Sequence, residues 1–175
     1  AFEPESQNYG LLNRNIQANG LDALITAFPC ALSDRVGLDR LYLSGFETGA
    51  SCHSFGAEVD FKLEARASPF VQGCASWTLD AAVAEGALPV PRYIKIDVDG
   101  FEHKVVAGAR STLAGDGVEE LLIEVNPHLA EHRAMVEELA GLGFRHNPGQ
   151  ARAASRPDGP FAGVGEWLFK REGAV

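Results

Sequence analysis

Residues 93–103, YIKIDVDGFEH, constrain the fold more than any other stretch of this chain. Tyr93, Ile94 and Ile96 form a short apolar run of strand type, and Gly100 supplies a turn that a branched residue would resist. Asp97, Asp99, Glu102 and His103 follow at once. Acids placed just past a buried strand suit an open α/β sheet, whose ligands bind outside the carboxyl ends of the strands. The plainer alternative is a helix cap, with Asp99 accepting from free N–H groups of a helix that starts near Glu102.

The rest of the chain follows the same grammar. Tyr9, Leu12 and Ile16 recur at helical spacing, and Asn19-Gly20 supplies a stop. ALITAF at 23–28 predicts a strand, with Ser33-Asp34 as a polar turn beyond it. Leu41, Tyr42 and Leu43 predict another strand, and the small residues of 44–58 a hairpin or flap. Thr78 opens a helix that reaches Glu85 and closes at Gly86. After the acidic strand, Val105, Val106, Ala109 and Leu113 predict a helix ended by residues 115–117. LLIEVN at 121–126 predicts a buried strand, Leu129, Val136, Leu139 and Leu142 a helix, and EWLFKR at 166–171 a last strand. Residues 147–165 read as a loop. The predicted fold class is α/β, an open sheet covered on both faces in three α/β/α layers. Residues 1–175 form one domain, with 44–76 inserted as a hairpin or flap.

A chain of 175 residues, 46% of them hydrophobic, is long enough to bury one core. A net charge of −9 without any run of Lys or Arg disfavours nucleic acid and anionic membrane as partners. No apolar run reaches the roughly 18 to 20 residues that span a bilayer, so a soluble, cytoplasmic protein is expected. Cys30, Cys52 and Cys74 lie far apart and suit free thiols in a reducing compartment. His128 and His132 stand four apart, a metal-ligand spacing, but without an HExxH pattern no metal is expected.

Four segments in order carry a family resemblance: AFEPESQNYGLLNRNIQANGL at 1–21, CALSDRVG at 30–37, KIDVDGFEHKVVAGA at 95–109 and LLIEVN at 121–126. Together they resemble the FkbM-type methyltransferases, class I enzymes that use S-adenosylmethionine. The resemblance implies a Rossmann-like sheet, mostly parallel with an antiparallel closing strand. It places Glu3 on the two ribose hydroxyls of the cofactor, where one carboxylate meets two donors. It sets Ala31, Leu32, Ser33 and Asp34 beside the adenine, and Asp97 next to the methyl group. The implied reaction moves that methyl to a hydroxyl of a sugar or natural-product small molecule, which must lose a proton. Asp97, Glu102 and His103 are the candidate catalytic residues. Asp99 and Glu124 ring the same mouth, and Ser51 and His53 in GASCHSFG at 49–56 offer donors and acceptors to the acceptor molecule.

One departure stands out. The glycine-rich loop that follows the family's first strand is absent, so the chain is expected to be a piece of a longer one that lacks this strand. Its loss exposes two sheet edges, which invites association and leaves room for a homo-oligomer. The missing loop also keeps open a catalytically inactive domain that serves in binding or assembly. Asp97-Val98-Asp99-Gly100 is similar as well to the haloacid-dehalogenase phosphotransferases. Phe101 replaces the Thr or Val expected there, and the adjacent Asp pair for magnesium is lacking.

Overall fold

The computed structural model describes residues 1–173. Helix α1 (Ser6–Ala18) starts where Glu5, 2% exposed, turns its carboxylate onto the N–H groups of Gln7 and Asn8. It ends at Asn19, with Gly20 at a φ of +63°. Phe2 and Phe28 form a parallel bridge and stack with ring centroids 5.2 Å apart. The strand predicted at 23–28 is reduced to this single bridge. The Leu21 carbonyl accepts from the N–H groups of Leu24 and Ile25, and the resulting turn leaves Leu24 80% exposed.

The first sheet joins β1 (Ala31–Leu32), β2 (Gly37–Leu43), β3 (Ser54–Phe55) and β4 (Phe70–Trp77) in the order β1-β4-β2-β3. Strands β2 and β4 form an antiparallel ribbon from Gly37 opposite Ser76 to Leu43 opposite Phe70, while β1 runs parallel to β4. The two-residue period turns Leu41, Leu43 and Cys74 inward beside Ala31, and Leu38 and Val71 outward. The ribbon thus begins at Gly37, before the insertion predicted at 44–76.

The second sheet joins β5 (Tyr93–Ile96), β6 (Glu120–Val125), β7 (Phe144–His146) and β8 (Gly165–Arg171) in the order β5-β6-β8-β7. Strands β5 and β6 are parallel, and β8 runs antiparallel to β6 and β7, as the closing strand was expected to do. Helices α2 (Leu79–Ala84), α3 (Glu102–Ala107), α4 (Arg110–Ala114), α5 (Ala130–Gly141) and α6 (Pro148–Ala154) complete the chain. The larger core packs Leu113, Leu121, Ile123, Leu139, Phe144 and Phe169, none more than 1% exposed. Each such side chain contributes about 1.5–3 kcal/mol of burial free energy.

Three expectations are corrected. The single, mostly parallel sheet is instead two mixed four-stranded sheets, because the ladder on β5 extends to β6 on one side and does not reach the Phe2 segment on the other. The helix predicted after the acidic strand breaks into α3 and α4 at Gly108, which packs against the Ser33 carbonyl. The loop predicted at 147–165 contains α6, capped by Asn147 with Pro148 in its first turn.

Helix α4 has no cap of its own and takes one from α2: Asp80 accepts from Ser111 N at 2.9 Å and Thr112 N at 2.7 Å. Burial pushes the Asp80 carboxyl up, but these N–H groups and the two hydroxyls outweigh it and hold it below the ordinary range. A lowered folded pKa adds stability above the unfolded value of about 3.9, lost as pH falls through the folded value. Asp80→Ala is therefore expected to cost about 1–2 kcal/mol at neutral pH. That deficit should shrink below pH of about 4, as urea unfolding at the two pH values would show. An equal deficit at both would assign Asp80 to packing alone.

Candidate functional site

A cleft of about 870 Å³ lies between the two sheets, within the size range of small-molecule sites. One wall carries Glu3, Ala31, Leu32 and Ser33 with Ser51 and His53 of the flap. The other is β5 and the turn after it, with Ile94, Ile96, Asp97, Asp99 and Phe101.

That turn is held in unusual backbone geometry. Asp99 has a φ of +55° and Gly100 of +108°, and a Cβ on residue 100 would stand 3.0 Å from the Phe61 carbonyl oxygen. Asp99 Oδ2 accepts from Cys52 N at 2.9 Å, and Arg66 Nη2 donates to Cys52 O at 3.0 Å. Cys52 also has a positive φ, +60°. The flap is thus pinned to the turn by two residues in strained conformations. Helix α3 starts from Phe101 with no side-chain cap bond, so Asp99 holds the flap and does not cap the helix. Burial raises the Asp99 carboxyl above the ordinary range, against the Cys52 N–H that lowers it.

Across the cleft, Glu3 Oε1 accepts from Glu5 N at 2.8 Å, and Oε2 has no hydrogen bond among the described residues. Burial raises the Glu3 carboxyl, with the Glu5 N–H opposing. Ser44 N donates to His53 Nδ1 at 3.2 Å, which places the His53 proton on Nε2. Among the described residues that Nε2–H is buried with no hydrogen bond of good geometry, and burial holds the ring below its ordinary pKa against the nearby Ala50 carbonyl and the acids Glu5 and Asp99. His53 therefore offers a donor on Nε2, with its other nitrogen already engaged.

The remaining predicted site residues lie off the cleft or are engaged in ion pairs. Glu102 is fully buried and off the cleft; its oxygens accept from Val98 N at 2.8 Å and Gly100 N at 3.0 Å. His103 is half-buried beside Phe101 and His132, and its Nδ1 has no hydrogen-bond partner among the described residues. Asp34 lines an adjoining cavity of about 300 Å³ with Ser33, Arg35 and Lys104. Glu124 pairs with Arg156 at 2.9 Å, and Asp97 with Lys95 at 3.2 Å. Burial raises the Glu124 carboxyl, with Arg156 opposing. Asp97, Glu102 and Glu124 bring one oxygen each within 4.8 Å of the others, and Lys95 and Arg156 answer the charge of two of them. His128 precedes α5 with Nε2 3.3 Å from Ala162 O, whereas His132 is buried, so the pair shares no ligand position. Sequence reasoning missed Cys52, whose backbone is the contact, and His132 as a partner of Glu102.

The structure is an α/β protein with a ligand cleft at the carboxyl end of a parallel strand pair. Residues 1–146 match the model of the methyltransferase FkbM domain, and the chain belongs to the FkbM methyltransferase family. Its fold is similar to a 2.20 Å crystal structure of a methyltransferase FkbM from Methylobacillus flagellatus KT, at 17% identity and a TM-score of 0.53. The match covers 97% of this chain and 35% of that one, so this chain spans about a third of its length. A search of curated proteins found no match. Among the described residues, no helix is long and apolar enough to cross a membrane.

Proposed function

We propose that this chain carries the S-adenosylmethionine site of a methyltransferase that binds its cofactor as the Rossmann-like class I enzymes do and methylates a hydroxyl of a sugar or natural-product small molecule. The observation that carries this reading is the convergence of Glu3 and Asp97, from opposite walls, on one cleft of ligand size. The donor set fits the cofactor: Glu3 has an oxygen free for ribose hydroxyls, and Ala31 and Leu32 give an apolar surface for a base. When bound, S-adenosylmethionine supplies an electrophilic methyl group on a sulfonium.

The chain's own residues do the rest. Of the three candidate bases, Asp97 lines the cleft while Glu102 and His103 do not, so Asp97 receives the proton of the acceptor hydroxyl. Asp99 keeps the flap over the site, with Ser51 and His53 on the cleft wall to meet the acceptor. Asp34, on the adjoining cavity, contacts the cofactor less than Glu3 does.

Calorimetric titration with S-adenosylhomocysteine tests the reading. Binding is expected, weakened about tenfold or more by Glu3→Gln and less than about twofold by Asp34→Asn. No heat from S-adenosylhomocysteine or S-adenosylmethionine would overturn it in favour of a non-catalytic binding or assembly domain.

A further inference from the structure

We propose that Glu102 and His132 form a buried positioning pair that sets the 97–100 turn, with His132 kept as the neutral ring protonated on Nε2. Both side chains are enclosed, at 0% and 1% exposure, and neither touches the cleft. The Glu102 carboxylate accepts from Val98 N at 2.8 Å and Gly100 N at 3.0 Å, and His132 Nε2 lies 3.1 Å from its Oε2. A carboxylate that accepts backbone N–H groups from both sides of Asp99 fixes where Asp97 and Asp99 point.

The ring's protonation follows from its other nitrogen. Asn126 N donates to His132 Nδ1 at 3.0 Å, so Nδ1 carries a lone pair and the single ring proton lies on Nε2. That proton is donated to the Gly100 carbonyl oxygen at 3.0 Å, with Glu102 Oε2 3.1 Å from the same nitrogen. The charged groups around the ring act in opposite senses. Burial opposes the imidazolium, and so does His103 with its ring 5.9 Å away, while Glu102, the Gly100 carbonyl and Glu131 favour it and on balance push the ring above its ordinary pKa. The backbone opposes that shift and decides: an imidazolium would set Nδ1–H against the Asn126 N–H in a fully enclosed site.

Through this one ring, the residue after β6 and the first turn of α5 are tied to the turn after β5. The left-handed Asp99 costs about 1–2 kcal/mol. Two buried side chains and four backbone groups over-determine the turn, so that cost is met locally. The pair touches no ligand; its effect on the cofactor reading above is through Asp97 and Asp99.

Nitrogen-15 NMR of the histidine-labelled full chain tests the inference without any ligand. His132 should show an unprotonated Nδ1 and a protonated Nε2 throughout neutral pH; a doubly protonated ring, or the proton on Nδ1, overturns it. In Glu102→Gln, which keeps one accepting oxygen and turns the other into an NH₂ donor, hydrogen exchange at one of the Val98 and Gly100 amides should rise about tenfold or more. His132→Gln, which can both donate and accept, should retain protection that His132→Phe loses. Unchanged exchange in Glu102→Gln, or equal loss in both His132 variants, overturns the positioning role. S-adenosylhomocysteine affinity should fall in Glu102→Gln with the turn's protection. If the unaltered chain bound no cofactor, the functional reading would fail while the tautomer and exchange results still judged the pair.

Discussion

Gly108→Ala is expected to cost about 3 kcal/mol or more, enough to leave much of the chain unfolded at 37 °C. The reason is purely steric, since Gly108 has an ordinary φ of −79°. A Cβ there would lie 3.0 Å from the Ser33 carbonyl carbon, closer still to its oxygen, and 3.2 Å from Thr78 Cβ. Neither backbone can retreat freely. Ser33 N is bonded to Trp77 O, and the Gly108 carbonyl accepts from Asp80 N. The control is Gly10→Ala in α1, where nothing lies within 4 Å of the added carbon; it should stabilise the protein by about 0.5–1 kcal/mol through helix propensity. Denaturant melts of the two variants against the parent measure both effects, and a Gly108→Ala protein within about 1 kcal/mol of the parent would refute the close approach.

Arg171→Ala is expected to be next in size, at about 2–4 kcal/mol. The guanidinium donates through Nε to Val118 O at 2.7 Å and through Nη2 to Leu113 O at 2.6 Å and Gly115 O at 2.7 Å. It also reaches Leu142 O and lies 4.4 Å over the Phe144 ring. These carbonyls close α4 and α5, whose ends are otherwise short of donors, and a cation there is favoured by the helix dipole. Arg171→Lys should recover a minor share, because one ammonium cannot span the fork of acceptors. A melt in which Lys restored full stability would show that charge alone, without the planar geometry, is what matters.

The residues behind these two effects explain which parts of the fold were legible in the sequence. Helix α1, β5, β6 and the turn at Gly100 are local patterns: apolar residues at helical spacing, short apolar runs, a glycine where φ must be positive. They could be read because the interactions that make them lie a few residues apart. Gly108 was read only as a residue of a helical run, because its partner Ser33 is remote in sequence and the contact leaves no periodic trace. Arg171 gave only a strand residue, and Asp80 only a helix residue, for the same reason.

The candidate site divides along the same line. That the acids of 97–102 gather near a cleft was legible, since strand ends in α/β sheets point there. That Glu102 turns inward was not anticipated, although a signal existed: an acid in the first turn of a helix, two residues after a glycine, can reach back to the N–H groups preceding it. The split into two sheets had no local signal either, because strand neighbours depend on which edges meet in space.

The two sheets rest on unequal interiors. The second is anchored by the large cluster around Leu121, Ile123 and Phe169, while the ribbon of β2 and β4 rests on Ala31, Leu41, Leu43 and Cys74. Opening free energy follows such packing, so the ribbon and its flap exchange with solvent at less cost than β5 and β6. The cleft therefore has one firm bank and one yielding bank. A molecule that grips both turns part of its binding energy into order on the soft side, and its residence time is set by how often that bank lets go.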